Sequence, residues 1–101
     1  MKLHFRKYGT GTPLIILHGL FGSGLNWNSV GKKLAENHTV YILDQRNHGK
    51  SPHSDFFSYQ HLCDDLLAFY QHYGINKAVL MGHSMGGKVV LDFSFAYPKM
   101  V

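Results

Sequence analysis

The segment Gly82-His83-Ser84-Met85-Gly86-Gly87 follows an apolar run, Ala78 to Met81, and opens a helix-like stretch. That placement constrains the chain more than any other feature. A G-x-S-x-G pattern between strand and helix describes a turn sharp enough to force its serine into a strained backbone conformation and leave the hydroxyl exposed. Side chains two residues to either side of the serine collide with the adjoining strand and helix, and glycine at 82 and 86 removes the collision. The helix starting near Met85 then aims free backbone N–H groups and a positive dipole end at any oxygen beside the serine that must carry charge. The bare pattern is common, and the bland alternative is a structural glycine turn. The context decides for a presented nucleophile: a β-rich run before it, Gly87 after it, and a helix carrying apolar Val89, Val90, Phe93 and Ala96.

The rest of the chain fits one globular unit. Its 101 residues are 45% hydrophobic and 16% charged, which excludes a disordered tail or a coiled coil and leaves no room for a second domain. The longest apolar run, Leu14 to Leu17 extended loosely through Phe21, is interrupted by His18-Gly19 and falls far short of the ~20 residues that cross a bilayer. No membrane span is expected. Met1 to Lys7 carries charge where a secretory signal needs an apolar core, so a cytoplasmic location is the expectation. The net charge of +4 comes from scattered basic residues with only two adjacent pairs, Arg6-Lys7 and Lys32-Lys33, and no nucleic-acid patch is formed. Eight histidines are many for this length, yet none falls in H-E-x-x-H or beside a paired C-x-x-C. No metal or cofactor is expected, and most of these histidines are assigned to surface or capping positions. Cys63 falls among the apolar positions of a predicted helix and reads as a buried, inert thiol.

Punctuation along the chain alternates apolar runs with helical periods. Leu3 to Tyr8 predicts a first strand, closed by the turn-rich linker Gly9 to Pro13. Leu14 to Leu17 is a continuous apolar run, as in a strand covered on both faces. After the loop Leu20 to Gly24, Trp27, Val30 and Leu34 space a helix that Asn26 is placed to cap. A strand follows at Thr39 to Leu43, then an ordered loop from Gln45 to Ser58. Leu62, Cys63, Leu66, Leu67, Tyr70 and Tyr73 trace one helical face, stopped by Gly74. Lys77 to Met81 is the strand entering the serine turn, and Tyr97 to Val101 reads as a helix exit and the start of a further strand. The order implies an α/β fold, a mostly parallel sheet with helices on both faces, with ligands bound beyond the carboxyl ends of its strands. His18, Asp44 and Ser84 all lie at such ends.

Three segments resemble those of the α/β-hydrolases. His18-Gly19-Leu20-Phe21-Gly22-Ser23 resembles that family's His-Gly oxyanion loop after the third strand. Asp44-Gln45-Arg46-Asn47-His48-Gly49-Lys50-Ser51-Pro52 resembles its D-x-R-x-x-G-x-S loop, and Gly82 to Gly87 its nucleophile elbow. In detail they are similar to small bacterial esterases and mitochondrial abhydrolase-domain proteins. The resemblance implies that the chain is the N-terminal part of a single α/β-hydrolase domain, carrying strands two to five.

It further implies serine-dependent hydrolysis of a small acyl ester or thioester through an acyl-enzyme intermediate, with Ser84 as nucleophile and the N–H groups of Leu20 and Met85 as oxyanion hole. His18 braces the loop, and Gly19, Gly82 and Gly86 support its geometry. Asp44 accepts bonds from the loop around Arg46 and Gly49. The side chain of His83 points away from Ser84 into neighbouring structure. Met85, Leu20, Phe21 and Trp27 line an apolar mouth or belong to the core. In this fold the triad runs Ser, Asp or Glu, then His, whereas only Asp92 follows Ser84, inside a helix. The acid, the histidine and the lid are therefore expected beyond Val101, and the chain alone is expected to be inactive. Perhydrolase or haloperoxidase-like chemistry, C–C bond hydrolysis, and a non-enzymatic binding module on the same fold stay open as alternatives. The oligomeric state is left open as well.

Overall fold

The computed structural model describes residues 1–101. Four strands form one open mixed sheet: β1 (Phe5–Tyr8), β2 (Thr12–Leu17), β3 (His38–Leu43) and β4 (Val79–Gly82), in the order β1-β3-β2-β4. β1 runs antiparallel to β3, with Phe5 opposite Leu43. β2 is parallel to both β3 and β4, with Leu17 opposite Leu43 on one side and Gly82 on the other. Helix α1 spans Asn28–Leu34, α2 Tyr59–His72 and α3 Met85–Ala96. No helix is long and apolar enough to cross a membrane.

The continuous apolar character of β2 and β3 has a direct structural use, because alternate residues serve opposite faces. Leu14, Ile16, Val40 and Ile42 form a small core on one face, with Trp27 and Leu34 packed against it. Ile15, Leu17, Tyr41 and Leu43 join the larger core under α2 and α3, with Leu66, Phe69, Tyr70, Val89 and Phe93. Helices therefore cover both faces, as the alternation implies.

Several boundaries differ from the sequence reading. Pairing with β3 carries β2 back to Thr12 and Pro13, inside the expected linker. β4 begins at Val79, since the Ala78 N–H leaves the ladder and donates to the Met100 carbonyl at 3.0 Å. The helix expected through Trp27 is split: a 3-10 turn, Gly24–Trp27, precedes α1. Asn26 does not cap α1; its Oδ1 accepts the Ser23 N–H at 2.9 Å. On α2 the aromatics Tyr70 and Phe69 are both buried, Phe69 edge-on to Phe5 at 5.1 Å, while Tyr73 lies exposed at the rim. Ser58 caps α2 by accepting the His61 N–H. The final segment is a 3-10 turn, Pro98–Met100, and not a strand. The Met100 carbonyl also accepts from the Tyr70 hydroxyl at 3.0 Å, and burial pushes Tyr70 up to about 12. Cys63 is buried, and burial raises its thiol above the ordinary value.

Candidate active site

The turn between β4 and α3 is as tight as its glycines require. Ser84 adopts φ +53° and ψ −113°, a conformation that non-glycine residues avoid and that only surrounding structure can hold. Any Cβ at Gly82 would run into the Gly86 carbonyl group and lie 2.6 Å from the Gly87 nitrogen; one at Gly86 would run into the Leu17 carbonyl and lie 2.7 Å from that of His18. The His83 N–H extends the β2 ladder to the Leu17 carbonyl at 3.1 Å, so the end of β2 and the elbow are locked together. Ser84 is exposed and its side chain makes no capping bond to α3.

Opposite the elbow stands the loop that leaves β2. A Cβ at Gly19 would lie 3.3 Å from Ser84 Cβ, so this loop passes directly beside the serine. A turn closes from Gly22 N–H to the Gly19 carbonyl at 3.0 Å, with Phe21 at φ +61°. The N–H groups of Leu20 and Met85 donate to no protein acceptor. Leu20, Met85 and Ser84 share one cavity of about 330 Å³, completed by Phe57, Ser58, Tyr59 and Leu62.

His18 is buried and holds this loop through both ring nitrogens. Nε2 accepts the Gln45 N–H at 3.0 Å, which places the proton on Nδ1, and Nδ1–H donates to the Gly19 carbonyl at 2.8 Å. Gln45 Nε2 in turn donates to the His18 carbonyl at 2.7 Å. Burial is the main influence on this imidazole and keeps its pKa below the ordinary histidine value, partly offset by the Gly19 carbonyl. The Gly19–Leu20 peptide is planar, so fixing its carbonyl also fixes the direction of the Leu20 N–H.

Asp44 is buried at the end of β3. One oxygen accepts the Gly24 N–H at 2.7 Å and the other the Lys50 N–H at 3.0 Å, with Arg6 Nη1 3.8 Å away. Lys50 belongs to the loop around Arg46 and Gly49 from which bonds were expected, and Gly24 adds a donor from a second loop, so the carboxylate bridges the two. Arg46 is buried as well: Nε and Nη2 donate to both Asp65 oxygens at 2.7 and 2.8 Å, and Nη1 donates to the Phe56 carbonyl at 2.7 Å. The hydrogen bond to Asp65 raises the pKa of Arg46.

Other expected residues lie elsewhere. His83 is exposed, its ring 5.7 Å from that of Trp27. Of the residues expected at an apolar mouth, Leu20 borders three cavities: one of about 330 Å³ with Ser84 and buried Met85, one of about 310 Å³ with Ser84, Trp27 and His83, and one of about 550 Å³ with Phe21, whose side chain is 92% exposed. Asp92 pairs with Lys88 at 2.8 Å on α3. No group of three His, Cys, Asp or Glu residues is placed to hold a metal ion. Two histidines, His18 and His48, are buried, and the other six are half-buried or exposed. The sequence reading gave no role to Gln45, His48 or Asp65. Asp65 did carry a signal, a carboxylate three residues after Leu62 on the apolar face of α2.

Residues 12–101 match the alpha/beta hydrolase fold family, and the chain belongs to it. It is 45% identical over 99 residues to the sn-1-specific diacylglycerol lipase ABHD11 of Danio rerio, covering 96% of this chain and 31% of that protein. Against a putative esterase/lipase of Haemophilus influenzae the identity is 37% over 101 residues, covering 99% of this chain and 35% of that protein. Among solved structures, a marine microorganism esterase superposes with a TM-score of 0.98 at 48% identity, over 100% of this chain and 39% of that one. The chain spans about a third of the length of the curated relatives it matches.

Proposed function

We propose that the chain supplies the nucleophile and oxyanion hole of a serine-dependent ester or thioester hydrolase. The observation that carries the reading is the pairing of Ser84 at φ +53° with the undonated N–H groups of Leu20 and Met85 around one cavity. Ser84 Oγ attacks the acyl carbonyl as its proton passes to a base, and the carbonyl oxygen becomes an oxyanion held by the two N–H groups. The C–O or C–S bond breaks, the leaving group takes the proton from the base, and water then hydrolyses the acyl-enzyme. Neither Asp92 nor a histidine of residues 1–101 bonds to Ser84, so this reading assigns the base and its orienting acid to the rest of the complete protein. The apolar lining of Leu20, Phe57, Leu62 and Met85 suits a small acyl group, in a cytoplasmic enzyme. The test is a fluorophosphonate probe applied to the complete protein: labelling maps to Ser84 and disappears in Ser84→Ala. Labelling at another serine, or undiminished labelling of the variant, overturns the proposal.

A further inference from the structure

The turn that carries Leu20 is held at a second point, by a residue from another loop. His48 is buried between the β3 loop and this turn, its ring 5.0 Å from that of His18. Its Nε2 accepts the Phe21 N–H at 3.0 Å, and its Nδ1, which therefore carries the proton, donates to the Arg46 carbonyl at 2.8 Å. Phe21 needs that bond. Its φ of +61° is costly for a bulky residue, roughly 1 kcal/mol or more, and its 92% exposed side chain contributes no packing to hold it. The two histidines thus divide the work around Leu20. His18 fixes the Gly19–Leu20 peptide through its carbonyl, and His48 fixes the Leu20–Phe21 peptide through its N–H. With both flanking peptide planes fixed, both backbone torsions of Leu20 are fixed too.

We propose that His48 is a positioning residue of the oxyanion hole, acting on the Leu20 donor by pinning the Leu20–Phe21 peptide. This rests on the serine-hydrolase reading, since it concerns the same oxyanion. An oxyanion donor acts on the transition state and little on ground-state binding. Loss of the His48 acceptor therefore lowers kcat and leaves KM nearly unchanged.

The test uses the complete protein and an aryl ester. His48→Leu, which removes the acceptor, is expected to lower kcat by about tenfold with KM within about threefold, because a misaimed donor loses part of the hundredfold or more that a deleted one costs. His48→Gln, whose Oε1 can reach the Phe21 N–H, is expected to recover most of kcat. Equal kcat in His48→Leu and wild type, or equal losses in both variants, overturns the proposal. Should His48→Leu fail to fold, the wild-type protein decides. A long-range 1H–15N spectrum is expected to show His48 as the Nδ1–H tautomer and the Phe21 amide as protected from exchange. An Nε2–H tautomer or an unprotected Phe21 amide refutes the pinning. Ser84→Ala is measured alongside: retained activity there overturns the serine reading itself, whereas its loss beside an unaffected His48→Leu overturns only the role of His48.

Discussion

Arg46 and Asp65 form a buried, two-pronged ion pair that ties the loop after β3 to helix α2, with N···O distances of 2.7 and 2.8 Å. The third guanidinium nitrogen reaches the Phe56 carbonyl at 2.7 Å, so one side chain fixes both ends of the loop that also carries Gln45 and His48. Removing one partner leaves the other charged and buried, which costs about 3–5 kcal/mol. Asp65→Ala is expected to destabilise the complete protein by that order in urea unfolding. Arg46→Lys is expected to rescue little, because an ammonium cannot make the parallel pair of bonds.

The elbow's close contacts make a steric prediction. Gly86 packs against the carbonyls of Leu17, the last residue of the central strand β2, and of His18, which follows it and is held by its ring bonds, so neither can move aside. Gly86→Val is expected to lower stability by about 2 kcal/mol or more and to abolish ester hydrolysis. A lowered melting temperature in calorimetry checks the first part, and an aryl ester assay of the soluble fraction checks the second.

Both features differ in how far the sequence announced them. The strands β2 and β3 were legible because unbroken apolar runs have few other uses, and the elbow because its two glycines bracket a serine between strand and helix. Arg46 and Asp65 are 19 residues apart and His48 and Phe21 are 27 apart, so nothing local in the sequence joins them. The split of the helix at Trp27 was hidden for a related reason: the apolar spacing of Trp27, Val30 and Leu34 suits a 3-10 turn followed by an α-helix as well as one continuous helix. At the C-terminal end, Met100 bonds to Ala78 and Tyr70. Tertiary partners there outweigh the local pattern that suggested a strand.

His18 gives a pH dependence with a definite sign. Its pKa in the folded protein lies below the ordinary value, chiefly through burial, so the unfolded chain binds a proton that the native state refuses. Stability from this group is fully present above the unfolded value of about 6.5 and is lost as pH falls from there toward the folded value. Melting temperatures of wild type and His18→Gln, compared from about pH 8 to 5, are expected to show a smaller acid-side loss in the variant.

The sheet edge at β4 predicts the behaviour of residues 1–101 made alone. β4 pairs only with β2, Val79 is 47% exposed, and Leu91 and Phe95 of α3 are 58% and 85% exposed. Unpaired apolar edges recruit other chains. The isolated segment is expected to self-associate in size-exclusion chromatography and to bind the dye ANS; on the proposed serine mechanism it is also expected to show no ester turnover above background, since no histidine or carboxylate in it bonds to Ser84.

Trapping the acyl group measures the central claim most directly. The complete protein is mixed with an aryl ester, quenched in acid within the first turnover, digested and mapped by mass spectrometry. The account predicts an acyl mass on the peptide containing Ser84, absent in Ser84→Ala. Continued hydrolysis with that peptide unmodified, or with the acyl group on a different residue, would contradict it.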